Sequence, residues 1–161
     1  MLFSVLLSVL LAAPAGTATG TIEGHFVMPA NVKFAKPAQI VVFPHDYVNV
    51  YMAELQKNLD DYWEDFKPGF IQDKQSFLLF RELSKRHAME YTLNRMKREN
   101  PMYVSDLVVT TSANEFRFRN VPQGECEVVA LVTIGNQEYV WSEALILREV
   151  PGTVTLQPTN P

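Results

Sequence analysis

Phe116-Arg117-Phe118-Arg119-Asn120-Val121-Pro122-Gln123-Gly124-Glu125-Cys126-Glu127 joins two segments of different character. Phe116 and Phe118 share one face, and Glu115, Arg117 and Arg119 share the other, the two-residue period of a half-buried strand. A turn at Pro122 and Gly124 reverses the chain, and a longer apolar strand leaves it. Downstream, Glu127 to Ile134 and Gln137 to Leu147 flank Gly135-Asn136. Such a loop predicts a β-hairpin with glycine at the first central position of a type II′ turn. Val150-Pro151-Gly152 turns again, before a closing strand marked by Val154 and Leu156.

On the other side, Ser112-Ala113-Asn114 is a turn, and Tyr103 to Thr111 is expected as a strand. A first strand is predicted over Thr21 to Met28, with Ile22, Phe26 and Met28 inward and Glu23, His25 and Val27 outward; Gly24 permits a bulge or a close approach. Ala38 to Phe43 is apolar on both faces, as a covered strand should be.

From about Tyr47 to Asn100 the period becomes helical. Met52, Leu55, Leu59, Tyr62, Trp63 and Phe66 form one apolar stripe, with Asp46 or Asn49 as cap and Lys67-Pro68-Gly69 as terminator. A second helix runs from an Asp73 cap to about Glu99. It directs Phe77, Phe80, Leu83, Ala88, Tyr91 and Met96 toward the first, and Asn100-Pro101 ends it. Two such helices with a short link make an αα-hairpin. The first is acidic (Glu54, Asp60, Asp61, Glu64, Asp65) and the second basic (Arg81, Lys85, Arg86, Arg95, Lys97, Arg98), so opposite charge is expected to favour their docking.

The Phe116-x-Phe118 strand followed by Asn120-Val121-Pro122-Gln123-Gly124 resembles the carboxypeptidase regulatory-like domains, whose fold is a transthyretin-like (prealbumin-like) β-sandwich. Cys126 stands where that family usually places a tyrosine. The resemblance covers roughly Gly20 to Phe43 and Leu107 to Leu156. It implies a mainly β, seven-stranded Greek-key sandwich and no reaction of its own. The helical hairpin at about 47–100 is then an insertion between two strands.

At 161 residues the chain is one domain's worth, and 47% hydrophobic with 20% charged residues is a globular composition. A net charge of −4 and a pI of about 5.4 argue against nucleic-acid binding. Residues 1–18 have the plan of a secretory signal peptide: an apolar Leu2 to Leu11, then small residues with cleavage after Ala15 or Ala18. The run is too short to span a bilayer comfortably. Residues 19–161 are thus expected as an exported domain, secreted or periplasmic, with no stable membrane span after cleavage. Cys126, the only cysteine, permits no intrachain disulfide. Among apolar neighbours it is expected buried, with Glu125 and Glu127 raising its thiol pKa.

Motifs for catalysis are absent: there is no His-x-x-x-His, no His-Glu-x-x-His and no Gly-x-Ser-x-Gly. His25, His45 and Asp46 are the candidate ligands for a small metal-dependent hydrolase, although their spacing does not require convergence. Tyr139 and Trp141 share a strand face and are candidates for a carbohydrate platform, set against a core role for Trp141. The aromatics Tyr62, Trp63, Phe66, Phe70, Phe77, Phe80 and Tyr91 are too many for two helices to bury between themselves. Tyr62, Trp63, Phe66, Phe77 and Phe80 form the candidate interaction surface. The sequence therefore points to a non-enzymatic module with no cofactor, which meets an envelope or extracellular protein, or a second copy of itself, through its helical insertion.

Overall fold

The computed structural model describes residues 18–70 and 73–158, with the backbone alone for residues 65–70. The predicted signal peptide, apart from Ala18, lies outside the described residues. Seven strands and three helices follow in the order β1 (Thr19–Phe26), β2 (Ala38–Pro44), α1 (His45–Phe70), α2 (Lys74–Glu99), α3 (Pro101–Leu107), β3 (Val108–Thr111), β4 (Glu115–Pro122), β5 (Gly124–Ile134), β6 (Gln137–Leu147) and β7 (Gly152–Leu156). The strands form one sheet in the order β4-β1-β7 and a second in the order β3-β2-β5-β6. β1 and β7 are parallel, and all other pairs are antiparallel. The helices enter between β2 and β3, neighbours in the second sheet, so the insertion leaves that pairing intact.

Alternation sorts the core into two layers. Ile22, Phe26, Phe116, Phe118, Val128, Ala130 and Trp141 are buried between the sheets. Their rings form a chain: Phe26 lies 5.3 Å from Phe116 and 6.0 Å from Trp141, and Phe116 lies 5.9 Å from Phe118. The opposite face of the second sheet carries the helices, where Phe43 meets Tyr51 at 5.5 Å. This double covering accounts for the unbroken apolar run of β2, buried at every position from Ile40 to Pro44. Gly24 does permit a close approach: a Cβ there would stand 2.1 Å from the ring of Phe116.

The Phe-x-Phe segment is a strand whose end is bulged. Between the pairs Gly20↔Val121 and Ile22↔Phe118, β1 advances two residues and β4 three. Asn120 takes up the extra residue with φ 57°, a left-handed conformation that asparagine tolerates. The bulge shifts the alternation by one, so Phe116, Phe118 and then Val121 all point inward. Gly124 follows with φ 121°. The turn is a corner between sheets, since β4 belongs to the first and β5 to the second. Gln123 pins the corner to the start of β1, its N–H donating to the Ala18 carbonyl at 2.9 Å. Asn120→Gly is therefore expected to be near neutral, and Asn120→Val to cost about 1–2 kcal/mol for the left-handed conformation. Urea unfolding of the two variants checks this, and equal effects would contradict it.

Gly135 has φ 59° and Asn136 is not in the positive-φ region, as a type II′ hairpin turn requires. One segment differs from expectation. Tyr103 to Leu107, anticipated as strand, belongs to α3, and β3 begins only at Val108. Tyr103, Val104 and Leu107 are three and four residues apart, which suits a helix as well as a strand. Pro101 at the first helical position, with its φ already helical, tips the balance.

Candidate interaction surface

α1 leaves β2 directly, with Asp46 in its first turn, and runs to Phe70, past the expected stop at Lys67-Pro68-Gly69. Its buried face is Tyr47, Val48, Tyr51 and Asn58, one residue round from the predicted stripe. Met52 is a correction, being 51% exposed, while Leu55, Leu59 and Tyr62 are half-buried. α2 starts as anticipated, with the Asp73 carboxylate accepting from the Gln75 N–H at 2.9 Å and from the Ser76 hydroxyl. These bonds hold the Asp73 pKa below its usual value. Phe80, Ser84, Ala88, Met89, Thr92, Leu93 and Met96 are buried, whereas Phe77 and Tyr91 are not. Both helices have two neighbours to satisfy, each other and the sheet, so their buried arcs are wider than one stripe and turned toward the sheet.

Hydrogen bonds join the two helices. Tyr47 donates to Glu99 at 3.1 Å and accepts from Asn100 at 2.7 Å. Asn58 donates to the Ser84 carbonyl, and Tyr62 meets His87 Nδ1 at 2.9 Å. The pairs Lys57–Glu54, Arg86–Glu90 and Arg95–Glu99 each lie within one helix.

α2 also closes the edge of the second sheet. β6 ends that sheet, so the backbone of Val140 lacks a neighbouring strand on one side. Its N–H donates to Glu82 Oε2 at 2.6 Å, and its carbonyl accepts from Lys85 Nζ at 3.4 Å. Lys85 and Arg81 both reach Glu82 Oε1 at 3.3 Å. Burial lowers the Lys85 pKa against the opposing pull of Glu82. Two side chains one helical turn apart thus take the place of a strand. Beside them, Glu138 is bound by Lys36 at 2.8 Å and by Arg86. β7, an edge of the other sheet, is covered similarly, the Thr155 N–H donating to Glu143 at 2.7 Å. Neither edge is open to strand addition at these points.

An apolar depression lies toward the free end of the hairpin. Leu59, Asp60, Trp63, Phe77 and Phe80 line it. Trp63 and Phe77 are each 41% exposed, and Phe80 is buried with its ring 6.5 Å from that of Trp63. Of the five aromatics predicted to form the surface, Trp63, Phe77 and Phe80 come together. Tyr62 is turned to His87, and the Phe66 side chain lies outside the described residues. Asp60 is the charged residue of the lining, and Asp61 and Glu64 are close by in sequence.

The other candidates are dispersed. Trp141 is 2% exposed in the inter-sheet core, so it offers no platform to a sugar; Tyr139 is half-buried. His25 is on the outer face of the first sheet, 3.4 Å from Thr155 Oγ1. His45 begins α1, on the other side of the sandwich, 3.3 Å from Glu125. Among the described residues no three His, Cys, Asp or Glu side chains are grouped to hold a metal ion. Cys126 is buried, and burial together with Glu127 and Glu125 pushes its thiol up to about 12. No helix among the described residues is long and apolar enough to cross a membrane.

Glu127 was not anticipated as special. It is 9% exposed beneath the helices, accepts from Ser142, and has its pKa raised by burial. A raised carboxylate pKa means the unfolded chain releases this proton first as pH climbs above about 4.5. The penalty therefore grows from there and is complete above the folded pKa. Glu127→Gln is expected to match the unmodified protein near pH 4 and to be more stable at pH 7. Every tenfold difference in proton affinity between the folded and unfolded chains corresponds to about 1.4 kcal/mol. Urea unfolding at the two pH values measures the difference, and a constant offset would count against this account.

The chain matches no family model, and no curated protein or solved structure matches it.

Proposed function

We propose that this protein is an exported, non-catalytic β-sandwich module that mediates protein–protein interaction through its helical insertion, in the periplasm or outside the cell. The observation that carries this reading is the depression at the free end of the hairpin, where Trp63 and Phe77 are large, apolar and 41% exposed. Aromatic side chains presented in this way are typical anchors of protein interfaces. The plugged edges of β6 and β7 add to it, because they turn recognition away from strand pairing there and toward the helices. We also read the sandwich as a Greek-key, prealbumin-like fold of the carboxypeptidase regulatory-like kind. The Phe116-x-Phe118 strand, the Asn120 bulge and the three-plus-four division of strands support that assignment.

The test is co-purification from the native envelope after chemical cross-linking, with the full chain and with a Trp63→Ala/Phe77→Ala variant. The variant is expected to keep its circular dichroism spectrum and lose the cross-linked partner. Equal yield of the same partner from both proteins would show that the hairpin end is not the contact.

A further inference from the structure

A cleft of about 610 Å³ lies between α2, the segment before β2 and the β5–β6 hairpin. Its walls come from three stretches far apart in sequence: Ala35 and Lys36, Leu79 to Arg86, and Leu131 to Val140. Hydrogen bonds fix them to one another. The Ala35 N–H donates to the Thr133 carbonyl at 2.8 Å, and Glu82 accepts from the Val140 N–H at 2.6 Å. The cleft is of a size that takes a small molecule.

At its polar end two cations meet on one carboxylate. Glu138 is bound by Lys36 at 2.8 Å and by Arg86. The Lys36 hydrogen bond, with Arg86 beside it, holds the Glu138 pKa below its usual value. Both cations keep donors in reserve. Lys36 commits one of three N–H groups to Glu138, and Arg86 commits two of five, Nε to Glu90 and one at NH1 to Glu138. Glu82, at the back, is held by Arg81, Lys85 and the Val140 N–H. Lys36, Arg81, Lys85 and Arg86 thus outnumber Glu82, Glu90 and Glu138, in a chain whose net charge is −4. The remaining wall is apolar. Leu83 and Leu131 are half-buried, and Leu79 is 49% exposed. Leu79 and Arg86 are seven residues apart, about 10 Å along the helix. Beyond Leu79 the cleft continues into a smaller depression lined by Leu78 and Tyr139.

We propose that this cleft binds a small amphiphilic carboxylate, its head on the remaining donors of Lys36 and Arg86 and its apolar body along Leu83 and Leu79. An exposed leucine about 10 Å from a pair of cations suits a ligand with an acid at one end and a medium-length acyl chain at the other. Glu138 moderates the affinity, because its charge sits on the same two cations and repels a second carboxylate. Trp63 and Phe77 do not line this cleft, so the site is separate from the hairpin end.

Calorimetric titration of the purified full chain with octanoate tests this, beside acetate, octanol and octylamine. Octanoate is expected to bind one to one, and each of the other three at least about tenfold more weakly, for want of the chain or of the negative charge. Glu138→Gln removes the repelling charge and is expected to tighten octanoate about three- to tenfold. Lys36→Met/Arg86→Met is expected to weaken it about tenfold or more with unchanged circular dichroism. Trp63→Ala/Phe77→Ala is expected to bind octanoate as the parent does. Equal affinity for octanoate and octylamine would overturn the proposal, as would unchanged affinity in Lys36→Met/Arg86→Met. No binding by either the parent or Glu138→Gln would overturn it as well. Loss of binding in Trp63→Ala/Phe77→Ala alone would put the ligand at the hairpin end and not in the cleft. The cross-linking result for the hairpin end stands apart from all of these outcomes.

Discussion

Glu82→Ala is expected to destabilise the fold by about 3–5 kcal/mol, the cost of removing one member of a buried charge pair. The Glu82 side chain is 8% exposed and that of Lys85 15%, so neither is rescued by water. The substitution leaves Lys85 with its charge uncompensated and the Val140 N–H without its acceptor. Glu82→Gln keeps an acceptor for Val140 and should lose less. Glu82→Ala/Lys85→Met, which removes both charges, should recover part of the loss, as a coupled pair does. Urea unfolding of the four proteins reads this directly. A loss below about 1 kcal/mol for Glu82→Ala would mean that the pair is ornamental. The same variant opens the edge of β6 over Val140 and should refold with more aggregation.

Trp141→Ala should be as severe, at about 3–5 kcal/mol for a large aromatic removed from a closed core. Trp141 is 2% exposed and lies at a tilt against Phe26, which in turn contacts Phe34 and Phe116, so the cavity would fall where the sheets are joined. Trp63→Ala, at a residue 41% exposed, should cost markedly less. The two tryptophans also separate spectrally: Trp63→Phe is expected to leave a blue-shifted emission from Trp141 alone. Equal destabilisation by the two alanine substitutions would contradict the assignment of one to the core and the other to the surface.

The strands were legible because a strand's pattern is local. Phe116 and Phe118 must share a face whatever lies above them, and Gly135-Asn136 forces a tight turn by its own backbone preference. The Asp73 cap was legible for the same reason. The faces of α1 were harder to read. Its apolar and aromatic residues occupy more than half of the helix circumference, so periodicity placed Met52 inward when Tyr51 holds that position. Tyr103 to Leu107 satisfied two periods at once, and only the neighbouring Pro101 favours one of them.

The candidate surface was half visible. Composition showed that the hairpin carries more aromatics than it can enclose. Which of them stay outside depended on how the hairpin sits on the sheet. Alternation, helical period and turn chemistry by themselves marked most of the strands, a turn after Asn120 and a helical insertion, whereas only the tertiary structure divided the strands between two sheets and made that turn a corner between them. The tertiary structure alone decided that Glu82 and Lys85 serve β6, that Glu127 is buried, and that Trp63 and Phe77 come together. The reason is physical: a residue's period is a property of a few neighbours in the chain, whereas burial and charge pairing depend on segments brought together from far apart.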